Sequence, residues 1–248
     1  MRISAFLFTA TAALALAACS SETDSAAAGG EIAEAEPLPV IQAPEGQQWS
    51  EVITQTEAGG YLMGNPDAPI KLVEFGSLTC GACGNFAAQS FAPLRDNYIA
   101  SGRVSFELRN FVRDPIDLTM AMLTQCGADA SYFPLTEQVF ANQAQILQSA
   151  QQLNPSIGEL PAEQRFIAIA QGLGLDQFFA QRGISQNQSN SCLADPATAD
   201  SLANQTQAAV DEFRIEGTPT FLINGQMLDF NTWPEIETRI QRMGARDQ

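Results

Sequence analysis

From Ile70 to Phe75 the chain reads IKLVEF, an apolar and β-prone run that predicts a buried strand. The cluster Asn65-Pro66-Asp67-Ala68-Pro69 before it predicts a turn. A helical pattern starts at Cys80, with Phe86, Phe91, Leu94 and Tyr98 recurring at roughly helical spacing, and Pro93 predicts a kink in it. Val104 to Phe111 (VSFELRNF) alternates apolar and polar positions, as a second strand does. Residues 118 to 212 are dominated by helical patterns, among them LTMAMLTQC and PATADSLANQTQAAVDEF. Thr220 to Asn224 (TFLIN) predicts a third strand, Asn224-Gly225 a hairpin turn, and Met227-Leu228 a short return strand. Thr232 to Arg242 reads as a closing helix, with Thr232 as N-cap and Pro234 in its first turn. The result is an α/β domain over 49–248 whose β/α unit is interrupted by a helical block, about 113–212, as long as a small domain.

The N-terminus follows another pattern. Arg2 precedes an apolar stretch from Ile3 to Ala18 that ends in small residues and Cys19. This is the layout of a secretory signal peptide over 1–18, and it is short and Ala-rich for a membrane span. Leu16-Ala17-Ala18-Cys19 resembles the bacterial lipoprotein lipobox, which implies cleavage before Cys19 and lipidation at that residue. Residues 20–48 hold six acids (Glu22, Asp24, Glu31, Glu34, Glu36 and Glu45) and no Lys or Arg. A stretch of this composition buries too little apolar surface to offset the entropy of ordering, so 19–48 reads as a disordered acidic tether holding the folded part off a membrane.

Composition narrows the chemistry. With 28 acidic and 12 basic side chains the formal net charge is -16, and a nucleic-acid binder's basic footprint is missing. The chain has no histidine, which removes Ser-His-Asp and Cys-His catalysis and every His-containing metal site. Cysteine is then the natural carrier of chemistry near neutral pH. There are five: Cys19, Cys80, Cys83, Cys126 and Cys192. Lipidation of Cys19 leaves four, which allow three pairings, and spacing favours Cys80 with Cys83 and Cys126 with Cys192. A compartment outside the inner membrane permits disulfides. A zinc clip normally uses two CxxC knuckles, and only one CxxC exists here. A bridge within CGAC closes so short a loop that it removes little unfolded-chain entropy, so reactivity is the better reason for the pair.

A strand running straight into a helix leaves Cys80 at the helix N-terminus, where orphan N–H groups and the macrodipole favour a thiolate. That environment lowers a cysteine pKa from about 8.5 into the range of about 3.5–7.5. Cys83, one turn later, can reach back. Cys80 is the expected exposed attacking thiol and Cys83 the buried resolving thiol. Gly81 and Ala82 offer no side-chain donor, so backbone amides are the expected source of stabilisation. Glu74 lies six residues before Cys80 in an otherwise apolar strand. It is either a solvated strand end or a buried acid of raised pKa that shuttles the Cys83 proton. In 217-GTPTFLING-225 a proline precedes a strand, which fits a tight turn, as a cis-proline or as an ordinary trans one.

EFGSLTCGAC, with Glu74, Cys80 and Cys83, and EGTPTFLING, with Thr218 and Pro219, together resemble the thioredoxin fold and specifically the DsbA-like thiol:disulfide oxidoreductases, over about residues 60–244. The resemblance implies a thioredoxin fold, a central mixed β-sheet flanked by helices, with the helical block as its inserted domain. It implies that Pro219 is a cis-proline facing the CxxC pair, and that Thr218, beside Gly217, lends backbone groups to an extended substrate strand. It implies disulfide transfer to reduced or misoxidised proteins of the periplasm or cell envelope, no cofactor or metal, and reoxidation by a membrane redox partner. The Gly-Ala dipeptide differs from the Pro-His of the best-known oxidases. Cys126 and Cys192, both inside the insertion, are expected to staple it. The family's isomerases resemble dimers with a dedicated N-terminal domain, whereas a tether in that place points to a monomer. A reductase or isomerase, or a non-catalytic thioredoxin-like binding or chaperone lipoprotein, are the competing readings.

Overall fold

The apolar run at Ile70–Gly76 (β3) and the alternating run at Val104–Asn110 (β4) pair in parallel, joined by the helix Gly81–Pro93 (α1). This crossover unit is the centre of the computed structural model, which describes residues 34–246. Thr220–Ile223 (β5) adds antiparallel to the free edge of β3, and Gln226–Met227 (β6) returns beside it. Asn224 and Gly225 both take positive φ, 50° and 80°, which is the backbone a tight two-residue hairpin needs. Two further strands, Ile53–Gln55 (β1) and Tyr61–Gly64 (β2), extend the other side and give the order β1-β2-β4-β3-β5-β6. The sequence pattern does not reveal them: they are short, and β1 is ITQ, half-buried at Ile53 and exposed at Thr54 and Gln55.

The β3 strand alternates sharply. Ile70 and Leu72 point into the main core, and Glu74, two positions on, is on that same face. Val73 and Phe75 pack on the other face with Ala209 and Phe213. α1 lays Phe86 and Phe91 on the sheet. Phe86 meets Phe221 of β5 with tilted rings, 4.5 Å between centroids, and Phe91 meets Phe106 of β4 at 5.8 Å. The helix changes to a wider π-helical winding over Leu94–Ile99, directly after Pro93, whose missing N–H breaks the regular ladder. The closing helix, Trp233–Arg242 (α9), follows Thr232 as the sequence predicts, but the Thr232 hydroxyl bonds the Glu235 carboxylate and not a backbone N–H.

Between β4 and β5 lie seven α-helices: Pro115–Thr124 (α2), Tyr132–Ala141 (α3), Gln143–Ala150 (α4), Ala162–Gly172 (α5), Leu175–Ala180 (α6), Gln186–Leu193 (α7) and Pro196–Phe213 (α8). This is the thioredoxin fold with a helical insertion. Cys126, just past α2, and Cys192 of α7 are joined by a disulfide.

The tether reading needs correction from residue 34 onward. Ala35 N–H and Leu38 N–H donate to the carbonyls of Arg242 and Gly244, and Ile41 N–H donates to Ser101 O. Leu38 packs on the core, and Trp49 Nε1 donates to Ile41 O at 2.8 Å. Composition alone misses this because the backbone, not the side chains, supplies most of the bonds. The signal peptide, Cys19 and the earlier part of the tether lie outside the described residues.

Candidate active site

Ser77-Leu78-Thr79 carries the chain from β3 to α1, and Cys80 occupies the N-cap with extended backbone, φ -84° and ψ 116°. A cap residue normally offers a side-chain oxygen to the first-turn amides. Here a sulfur does so: Cys83 N–H points at Cys80 Sγ at 3.4 Å. Cys80 and Cys83 are both free thiols, and both are buried. The expected exposed position of Cys80 is corrected to 4% exposure. The reason is the loop before β5: Cys80 Sγ sits 3.2 Å from the carbonyl of Thr218 and donates to it. The peptide bond Thr218–Pro219 is cis. Two loops 138 positions apart thus close over one sulfur.

The two thiols are driven apart in acidity. Cys80 is lowered to about 5, first by the Cys83 thiol donating to it, then by the Thr218 side chain and by the backbone amides of Cys83 and Ala82, against the opposing effect of burial. Backbone amides were the expected main source, and they come after the neighbouring thiol. Cys83 is pushed the other way by that same bond, by burial and by the nearby Glu74 carboxyl.

Glu74 is 1% exposed, which removes the solvated-end reading. Burial, with the negative charge of Cys80 as a lesser cause, pushes its carboxyl well above the usual range. Neither oxygen has a hydrogen-bond partner among the described residues. Gly217 is exposed beside Thr218, and its carbonyl accepts from the Thr220 hydroxyl at 2.8 Å.

Three residues of the insertion support the site and were not anticipated. Asp117 of α2, 1% exposed, accepts from Ser77 Oγ at 2.6 Å, Leu78 N–H at 2.8 Å and Arg113 N–H at 3.0 Å. Burial raises its pKa to about 6 in spite of these bonds. Asp114, the N-cap of α2, accepts from Thr79 Oγ1 at 2.9 Å. Gln143 donates to the carbonyls of Leu78 and Cys80. The sequence marks Asp114-Pro115 only as a helix start, and nothing near Gln143 ties it to a loop 63 positions earlier. Among the described residues no group of three or more His, Cys, Asp or Glu is arranged to hold a metal ion.

A family model described as thioredoxin matches residues 56–242. The chain belongs to the thioredoxin family. A solved structure of a protein-disulfide isomerase from Novosphingobium aromaticivorans is 32% identical to this thioredoxin-family chain, covering 75% of it and 97% of its own length with a TM-score of 0.70. The alpha-DsbA1 of Wolbachia pipientis, 23% identical over 75% of this chain and 92% of its own, superposes with a TM-score of 0.61 and shares the fold. Relatives from Rickettsia bellii and Rickettsia typhi, assigned as protein-disulfide oxidoreductases, are 23% and 21% identical over 75% and 78% of this chain. The chain spans 64% and 65% of the length of these two, just under two thirds.

Proposed function

We propose that this protein is a thiol:disulfide oxidoreductase that donates the Cys80–Cys83 disulfide to thiols of exported proteins. The observation that carries the reading is the split acidity of the pair at one helix N-terminus, with Cys80 at about 5 and Cys83 raised. A substrate thiolate attacks Cys80 Sγ of the oxidised pair. The Cys80–Cys83 bond breaks, a substrate–Cys80 disulfide forms, and Cys83 leaves and takes up a proton. A second substrate thiolate then attacks the substrate sulfur of that mixed disulfide. Cys80 leaves as a thiolate and the substrate departs with a disulfide. The substrate dithiol loses two electrons, the pair gains them, and the substrate protons are accounted for by Cys83 and solvent. A thiolate as acidic as Cys80 is a good leaving group and stabilises the reduced enzyme, which makes the disulfide oxidising.

In this reading Glu74, neutral when Cys80 is ionised, passes a proton to or from Cys83. The Thr218 carbonyl, which the Cys80 thiol meets only while it is protonated, becomes an acceptor for an extended substrate strand beside Pro219. Lipidation of Cys19, a cell-envelope location, a monomeric state and reoxidation by a quinone-linked membrane protein complete the proposal. Mass analysis of the mature protein tests the lipid.

The isomerase name of the Novosphingobium relative favours one second reading, in which the same residues reshuffle or reduce disulfides. The equilibrium of the Cys80–Cys83 pair with a glutathione series separates the two. A potential well above that of thioredoxin, about -270 mV, supports a donor; a value at or below it means electrons are delivered. Absence of exchange overturns the enzyme reading.

A further inference from the structure

Gln143 opens α4 and is 8% exposed. Its Nε2 donates to Leu78 O at 2.9 Å and to Cys80 O at 3.0 Å, the two carbonyls that bracket the entry to α1. Its Oε1 lies against the first turn of α1, where a Cβ placed on Gly84 would fall 2.7 Å away, nearer than Cβ atoms approach. Gly84 has an ordinary helical backbone, so no turn demands glycine there, and glycine is the poorest helix former after proline. The missing side chain is explained by the amide that occupies its place. Gly84 N–H also donates to Cys80 O at 3.1 Å, so that carbonyl is held from both the helix and the insertion.

We propose that Gln143 is a positioning residue for Cys80, and that position 84 is glycine so that the Gln143 amide can lie across the first turn of α1. With Leu78 O and Cys80 O fixed, the cap geometry that aims the Cys83 N–H and thiol at Cys80 Sγ is fixed too. The helical insertion thereby sets the acidity of a thiol it does not touch. This deepens the reading of Cys80 as the sulfur that exchanges with substrate and rests on it for its functional meaning.

The test titrates the ultraviolet absorbance of the Cys80 thiolate on the reduced full chain, with melting followed in parallel. Gln143→Ala raises the Cys80 midpoint by about half a unit or more, roughly a threefold loss of thiolate at a pH below the midpoint. Gly84→Ala, which displaces the amide, raises it as well. The double variant Gly84→Ala/Gln143→Ala matches Gln143→Ala alone, because nothing is left to displace. If Gln143→Ala does not fold, Gln143→Met fills the space without N–H groups and is read in the same way. Gln143 variants that fold and titrate like the parent overturn the proposal. So does a Gly84→Ala protein that melts higher, as helix propensity alone predicts, with its midpoint unmoved. The thiolate titration needs no exchange activity, so a parent protein that fails to exchange with glutathione sinks the oxidoreductase reading and is told apart from failure of this one.

Discussion

Cys80 and Cys83 stand three positions apart at the head of α1 as free thiols, while Cys126 and Cys192, 66 positions apart, are joined within the insertion. Loop length explains part of the contrast. A bridge over 66 positions removes much chain entropy from the unfolded state, and one over three removes little. Environment explains the rest. The first pair shares one hydrogen bond, so whatever makes Cys80 acidic makes Cys83 basic, and Glu74 beneath adds to the split. In the proposed reading, a pair divided in this way opens and closes, and a pair spanning a long loop holds.

The hardest break in this comparison is Cys80→Ser, which reduces thiol exchange to the uncatalysed level, measured as oxidation of a reduced peptide. If Cys126→Ser/Cys192→Ser removes activity to the same extent with the fold intact, the division between reactive pair and staple is wrong. Glu74→Gln sharpens the chemistry of the first pair. Exchange slows about tenfold or more because proton transfer at Cys83 loses its partner. Glu74 has its folded pKa raised, so its neutral form is at no disadvantage at low pH and stability is lost as pH rises toward that pKa. The glutamine variant escapes this loss, and its melting temperature exceeds the parent's by a margin that widens with pH. Equal melting temperatures across the pH series would contradict the burial of an ionisable acid.

Removing the staple is expected to destabilise the chain by about 2–4 kcal/mol with exchange retained, read by denaturant unfolding. A further effect is a linkage. Cys80 is depressed in the folded, reduced protein, from about 9 to about 5, and does not titrate when oxidised. Its contribution is complete above the unfolded value and disappears as pH falls through 5. Melting of the reduced form relative to the oxidised form therefore rises between about pH 5 and 9. Parallel curves would remove the case for a stabilised thiolate.

How much of this was legible follows from where each signal is stored. IKLVEF, VSFELRNF and TFLIN announce three strands because a buried strand needs apolar side chains over its own length. Asn224-Gly225 announces its hairpin because both residues must take positive φ. β1 stays hidden because its edge pairing is supplied by backbone bonds and asks little of side-chain pattern, and β2, apolar and paired on both sides, is only four residues long. The docking of residues 34–41 was hidden for the same reason.

For the site, the sequence by itself determined the reagents: two thiols one helical turn apart, an acid in an apolar strand, and Thr-Pro before another strand. Each follows from local covalent spacing, which is unchanged by folding. Only the tertiary structure decided that the Thr218 carbonyl covers Cys80, that Cys80 is buried, and that Glu74 lies on the core face with both oxygens unpartnered among the described residues. It alone brought Asp117 and Gln143 to the loop before α1. Those contacts join residues tens to more than a hundred positions apart, and the acidity of a thiol depends on the groups around it in space, wherever they lie in the chain.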